Sequence, residues 1–152
     1  MTITLDETQQ EVVAAESDFY ASRVRDAETS AAFRDLSKAA ASGELQDTQG
    51  DPLGSLLSLG LASGRIRALY GAHAELAAGK LFRHTPQGKA LREEAQEATD
   101  ALRVLRDNEI RDLRISARGP GLYSLTLETA GCRIVINLGP TGIDVRSVEV
   151  AV

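Results

Sequence analysis

The chain has 152 residues, 43% hydrophobic and 26% charged. A chain of that size buries roughly two-thirds of its unfolded surface and needs no disulfide or metal to hold a core. Its net charge of −5 argues against broad capture of nucleic acid or anionic membrane, because such binding depends on Lys and Arg neutralising phosphates.

The longest apolar region, Leu53 to Phe82, is interrupted by Arg65, Arg67, His73, Glu75 and Lys80, whereas a membrane helix needs about 20 mostly uncharged residues. No membrane contact is therefore expected. The single cysteine, Cys132, excludes an intramolecular disulfide, and the start MTITLDETQQ lacks the basic and apolar regions of a secretory signal. Together they predict a cytoplasmic location.

Of the 22 alanines, 19 precede residue 110, and beyond it Val, Ile, Leu, Thr and Tyr alternate in short runs. This shift predicts a helical region over 1–109 and a β-sheet region over 110–152, joined in one compact unit. The expected class is α+β. An N-terminal helical hairpin and a long third helix pack on a C-terminal four-stranded antiparallel meander.

The first helix is expected over 7–42, with Asp6 as its cap and Glu7 in the positive first turn. Val13, Tyr20, Val24, Ala27 and Ala31 recur at helical spacings as one apolar stripe, which Phe33 and Leu36 extend. A break near residues 26 to 30 is the alternative. The stretch GELQDTQGDP, residues 43 to 52, combines turn and polar residues and reads as a mobile connection.

The second helix is expected over 55–83, although Gly60, Gly64, Gly71 and Gly79 each cost about 1 kcal/mol against alanine there. Gly60, Gly64, Ala68 and Ala72 stand four residues apart, which on a continuous helix gives a narrow groove for close helix packing. The groove would take the first helix or a subunit. Alternatively the glycines divide the region into two shorter helices.

His84-Thr85-Pro86 marks the next boundary, with Thr85 as N-cap and Pro86 preorganised for the first helical position. The third helix is expected over 86–108. Leu91, Ala95, Ala98, Leu102 and Leu105 alternate spacings of four and three, a seam that packs on another helix or on the sheet.

In the tail, Leu113, Ile115 and Ala117 alternate with Arg114, Ser116 and Arg118; after Gly119-Pro120-Gly121, Tyr123, Leu125 and Leu127 alternate with polar residues. Thr129-Ala130-Gly131 leads to Cys132, Ile134, Ile136 and Leu138, and Gly139-Pro140-Thr141-Gly142 leads to Ile143 and Val145. Val148, Val150 and Val152 then take the opposite parity, so a bulge near Arg146 and Ser147 is needed to keep them on the buried face.

Catalytic constellations are missing. His73 and His84 lie eleven residues apart, about three helical turns and too far for one metal. Cys132 has the apolar parity of its strand, where a thiol is buried and inert. Glu93, Glu94 and Glu97 sit among Lys89 and Arg92 and read as solvated or ion-paired groups of a helix surface rather than a proton-transfer pair.

The one site-like cluster is Lys80, Arg83, His84 and Lys89 around a helix N-terminus, where dipole and charge together would favour an anion. Charge is also segregated, since residues 52 to 92 carry Glu75 as their one acid against six bases, whereas residues 1 to 51 are strongly acidic. The two segments should attract each other, or a partner of matching charge.

The functional expectation is a non-enzymatic protein-protein interaction or assembly module that self-associates or binds a protein partner, without nucleic acid, metal or cofactor. Its candidate interfaces are the small-residue groove, the seam Leu91 to Leu105, and a free sheet edge. The alternative is a small regulatory protein binding an anionic ligand or acidic peptide at the basic corner 80–89.

Overall fold

A computed structural model describes residues 2–140 and 142–150. The fold is α+β, with five α-helices, a two-stranded sheet and a C-terminal four-stranded antiparallel sheet among the described residues. The chain forms two compact units, Met1–Lys89 and Ala90–Val152.

In the first unit, strand β1 (Ile3–Thr4) precedes helix α1 (Glu7–Ala21), helix α2 (Ala27–Ser42) follows, and strand β2 (Glu44–Leu45) comes next. The expected single helix over 7–42 is thus two. Asp26 accepts from the backbone N–H of Thr29 and starts α2 afresh, while the Ser22 hydroxyl closes α1 by donating to the Phe19 carbonyl. Of the expected stripe, Val13 is buried but Ala27 and Ala31 are exposed, because the break rotates them off the face.

β1 pairs antiparallel with β2, so the start of α1 meets the end of α2 and the two helices form a hairpin. Gly43 makes the closing turn with φ 83°, a left-handed conformation that costs glycine nothing. The stretch expected to be a mobile connection is therefore structured. It contains β2 and a 3-10 turn at Asp47–Gln49, and Leu45 is in the core.

The expected helix over 55–83 is likewise two, α3 (Gly50–Ala62) and α4 (Arg65–Phe82). Gly64 caps α4 at φ 70°, and Gly71 kinks α4 at φ 85°, ψ 177°. Both angles lie outside what an L-residue adopts in a helix, so no continuous helix passes these points. Gly60, Gly64, Ala68 and Ala72 consequently do not form one stripe.

Gly60 is buried with the Ile66 side chain lying where a Cβ would stand. α1 packs on α2, α3 and α4 around Val13, Leu36, Leu45, Leu53, Leu56, Leu57, Ile66 and Leu81.

Helix α5 (Pro86–Arg103) begins where expected and ends five residues short of the expected Asn108. The segment after it turns, with Asp107 at φ 65°.

The second unit continues α5 into strands β3 (Asp112–Gly119), β4 (Leu122–Glu128), β5 (Cys132–Gly139) and β6 (Gly142–Val150), ordered β3-β4-β5-β6. The parity switch in β6 resolves as expected. Val145 stands opposite Ile136 and Ser147 opposite Val135, so Arg146 is the bulged residue. Thr141 and Val152, assigned above to a turn and to the sheet face, lie outside the described residues.

Candidate functional site

The register puts an unbroken apolar set on one face of the large sheet: Leu113, Ile115 and Ala117 on β3; Tyr123, Leu125 and Leu127 on β4; Ile134, Ile136 and Leu138 on β5; Val145 and Val148 on β6. This follows from the period of two in a strand.

The α5 side covers the middle of that face. Ala98 and Leu105 pack on Cys132, Ile134, Ile136, Leu125 and Val145. A single narrow helix seam cannot cover four strands, so the flanks stay open. Leu113 is 60% and Ile115 66% exposed on β3, with Tyr123 also exposed on β4 and Val148 on β6.

Among the described residues, ten of the thirteen exposed large hydrophobic ones belong to the second unit: Leu91, Leu102, Val104, Ile110, Leu113, Ile115, Leu122, Tyr123, Val148 and Val150. Scattered apolar residues are ordinary on a surface, but a set made contiguous by strand register marks an interaction surface. β3 is also an edge strand, with β4 as its one neighbour among the described residues, so one side of its backbone is unpaired.

The expected seam is split by this geometry. Ala98 and Leu105 face the sheet and Ala95 is half-buried, whereas Leu91 and Leu102 lie exposed. The sequence spacing identified the stripe; packing on the sheet decided which of its members are covered.

At the end of the sheet near the β5–β6 turn, a cleft of about 410 Å³ is lined by residues including Glu94, Glu97, Arg118, Tyr123, Asn137 and Asp144. The Glu94 carboxylate accepts from the Ile143 backbone N–H at 3.3 Å, and the Asn137 amide donates to Asp144 at 3.3 Å. These carboxylates are engaged in holding the turn. Among the described residues, no three His, Cys, Asp or Glu side chains are grouped to hold a metal ion.

The basic corner is brought together only in part. Lys80 and His84 line a hollow of about 210 Å³ with Thr2, Ile3, Thr4 and Gln9, and Arg83 and Lys89 are not among its walls. One N–H of the helix N-terminus beside it is already engaged, because the buried Thr85 hydroxyl accepts from the Gly88 N–H at 3.1 Å. Gly88 is buried against the Phe82 carbonyl, so its lack of a side chain serves close packing.

Sequence reasoning missed one polar cluster. The fully buried Glu16 carboxylate accepts from Arg65 and from the Tyr70 hydroxyl. The signal was present, since Glu16 falls on the α1 face between Val12, Val13 and Tyr20, and an acid on an apolar stripe needs partners.

No helix is long and apolar enough to cross a membrane among the described residues. Compared with family models, with curated proteins and with solved structures, the chain matches none.

Proposed function

We propose that this protein is a non-enzymatic interaction or assembly module whose working surface is the β3 edge and the apolar face beside it. The observation that carries the reading is the pairing of an unpaired strand edge with Leu113 and Ile115, both more than half exposed, on the face that the rest of the sheet uses as core. Strand edges of this kind recognise protein through main-chain hydrogen bonds, while the alternate side chains supply selectivity. The bulge at Arg146 interrupts the opposite edge, β6, in mid-strand, whereas the register shift of β3 lies near its end, between Ala117 and Gly119, which leaves Asp112 to Ala117 as the longer regular run for strand addition.

The test is a Leu113→Lys/Ile115→Lys double variant. Both side chains are exposed in the single chain, so the variant is expected to keep its circular dichroism spectrum and melting temperature. It is also expected to lose its place in whatever larger assembly the wild-type chain forms at native concentration, measured by sedimentation velocity in cell extract. A wild-type chain that sediments alone there, or a variant that sediments with the wild-type assembly, would sink the reading.

A further inference from the structure

We infer that residues 65 to 70 are a hinged latch, which swings away from α1 at Gly64 and Gly71 while the rest of the helical unit stays folded.

Two glycines bound the segment. Gly64 has φ 70°, and Gly71 has φ 85° with ψ 177°. At both, open space stands where a Cβ would be, so neither is packed in on that side. The Gly71 conformation is essentially closed to other residues. Hinges are made of a few such positions, able to absorb a large change in φ and ψ.

Between the hinges little holds the segment down. Ile66 is its one buried residue; Arg67, Ala68 and Leu69 are exposed, and Arg65 and Tyr70 are half-buried. Arg65 and Tyr70 both donate to the same buried acid, Glu16, at 2.8 and 2.9 Å. The polar anchor of the six residues is thus one carboxylate on α1. Gly60 completes the seat, since the Ile66 side chain fills the space that a Cβ there would take.

The bend carries a second tie. Arg67 meets Glu75 at 3.1 Å, eight residues along, whereas ion pairs on a continuous helix join residues three or four apart. Eight residues of straight helix rise about 12 Å, and the kink at Gly71 shortens that span. The pair belongs to the closed latch and, near the surface, adds little to it.

With the latch out, α1, α2 and α3 keep their contacts around Val13, Leu36, Leu53 and Leu57. A segment with one buried apolar side chain opens below the free energy of global unfolding. The opening uncovers the Glu16 carboxylate and the seat at Gly60, and it makes residues 65 to 70 the part of the unit that rearranges without dissolving its core.

The experiment is native-state hydrogen exchange of the full chain at low urea, read by NMR. Six residues are too few to stay helical alone. The amides of Ala68, Leu69 and Tyr70 are therefore expected to exchange at rates nearly flat in urea, while those of Leu56 and Leu57 on α3 follow the steep dependence of global unfolding. Glu16→Gln is expected to speed the latch amides roughly tenfold with the flat dependence kept. Thiol labelling of Ile66→Cys follows the swing even where the segment stays helical, and it is expected to be flat in urea, with Leu57→Cys as the steep reference.

Steep dependence of both the latch amides and the Ile66→Cys thiol overturns the latch. Flat amides with a steep Ile66→Cys thiol mean fraying in place and overturn the swing. A latch rate that Glu16→Gln leaves unchanged overturns the anchoring by Glu16.

Discussion

The Arg65 guanidinium donates to the fully buried Glu16 carboxylate at 2.8 Å and lies 3.5 Å from the centroid of the Phe19 ring. One side chain thus neutralises a core acid of α1, covers an aromatic face of the same helix, and fixes the first turn of α4 against it. It also joins the acidic and basic segments of the sequence, though through a single buried contact rather than a diffuse attraction.

Removing Arg65 leaves a charge in the core with only Tyr70 for company. Because the Arg65 side chain is 29% exposed, Arg65→Ala is expected to cost about 2–3 kcal/mol rather than the roughly 3–5 of a fully buried pair. Urea denaturation measures it. The double variant Glu16→Met/Arg65→Met removes both charges together and is expected to recover part of that loss; no recovery would mean that the ion pair is not the source of the effect.

Tyr70 supplies a pH signature. Burial first, and then the hydrogen bond to Glu16, push its hydroxyl up to about 12. An unfolded tyrosine loses its proton near 10, so between about pH 10 and 12 the native state holds a proton that the unfolded state has released. The stabilisation is fully present below that window and declines as pH rises through it. The stability gap between wild type and Tyr70→Phe is expected to narrow across the window; a constant gap in pH-dependent melts would contradict this.

Two glycines separate backbone strain from steric clash. Gly64 has φ 70° with open space where a Cβ would stand, so Gly64→Ala should cost about 1 kcal/mol from conformation alone. At Gly88 a Cβ would collide with the backbone carbonyl of Phe82, which cannot yield as a flexible side chain does. Gly88→Ala is expected to cost about 3 kcal/mol. Equal melting temperatures for the two variants would show that the α4–α5 corner relaxes freely.

Leucines on the two kinds of surface should behave oppositely. Leu57 is fully buried in the helical core, and Leu57→Ala is expected to cost about 3 kcal/mol in chemical denaturation. Leu113 is mostly exposed, and Leu113→Ala is expected to stay within about 0.5 kcal/mol when measured on the isolated chain under dissociating dilution. A large loss at Leu113 would mean that β3 is covered within its own chain.

The sequence by itself determined the class of the fold and the faces of the large sheet. A strand's alternation is written residue by residue, so Leu113 to Val150 could be assigned to one face, and the bulge at Arg146 followed from a parity switch between Val145 and Val148. Thr85-Pro86 was equally legible, because capping is a local hydrogen bond.

Only the tertiary structure decided where the helices break, since α1 and α2 part so that Ile3 can pair with Leu45, forty-two residues away. It also decided that Glu16 finds Arg65, and that α5 covers the centre of the sheet while β3 stays open. Local signals fix periodicity and caps, whereas the choice among permitted breaks and covers belongs to contacts between residues far apart in the chain, and no window along the sequence contains both partners.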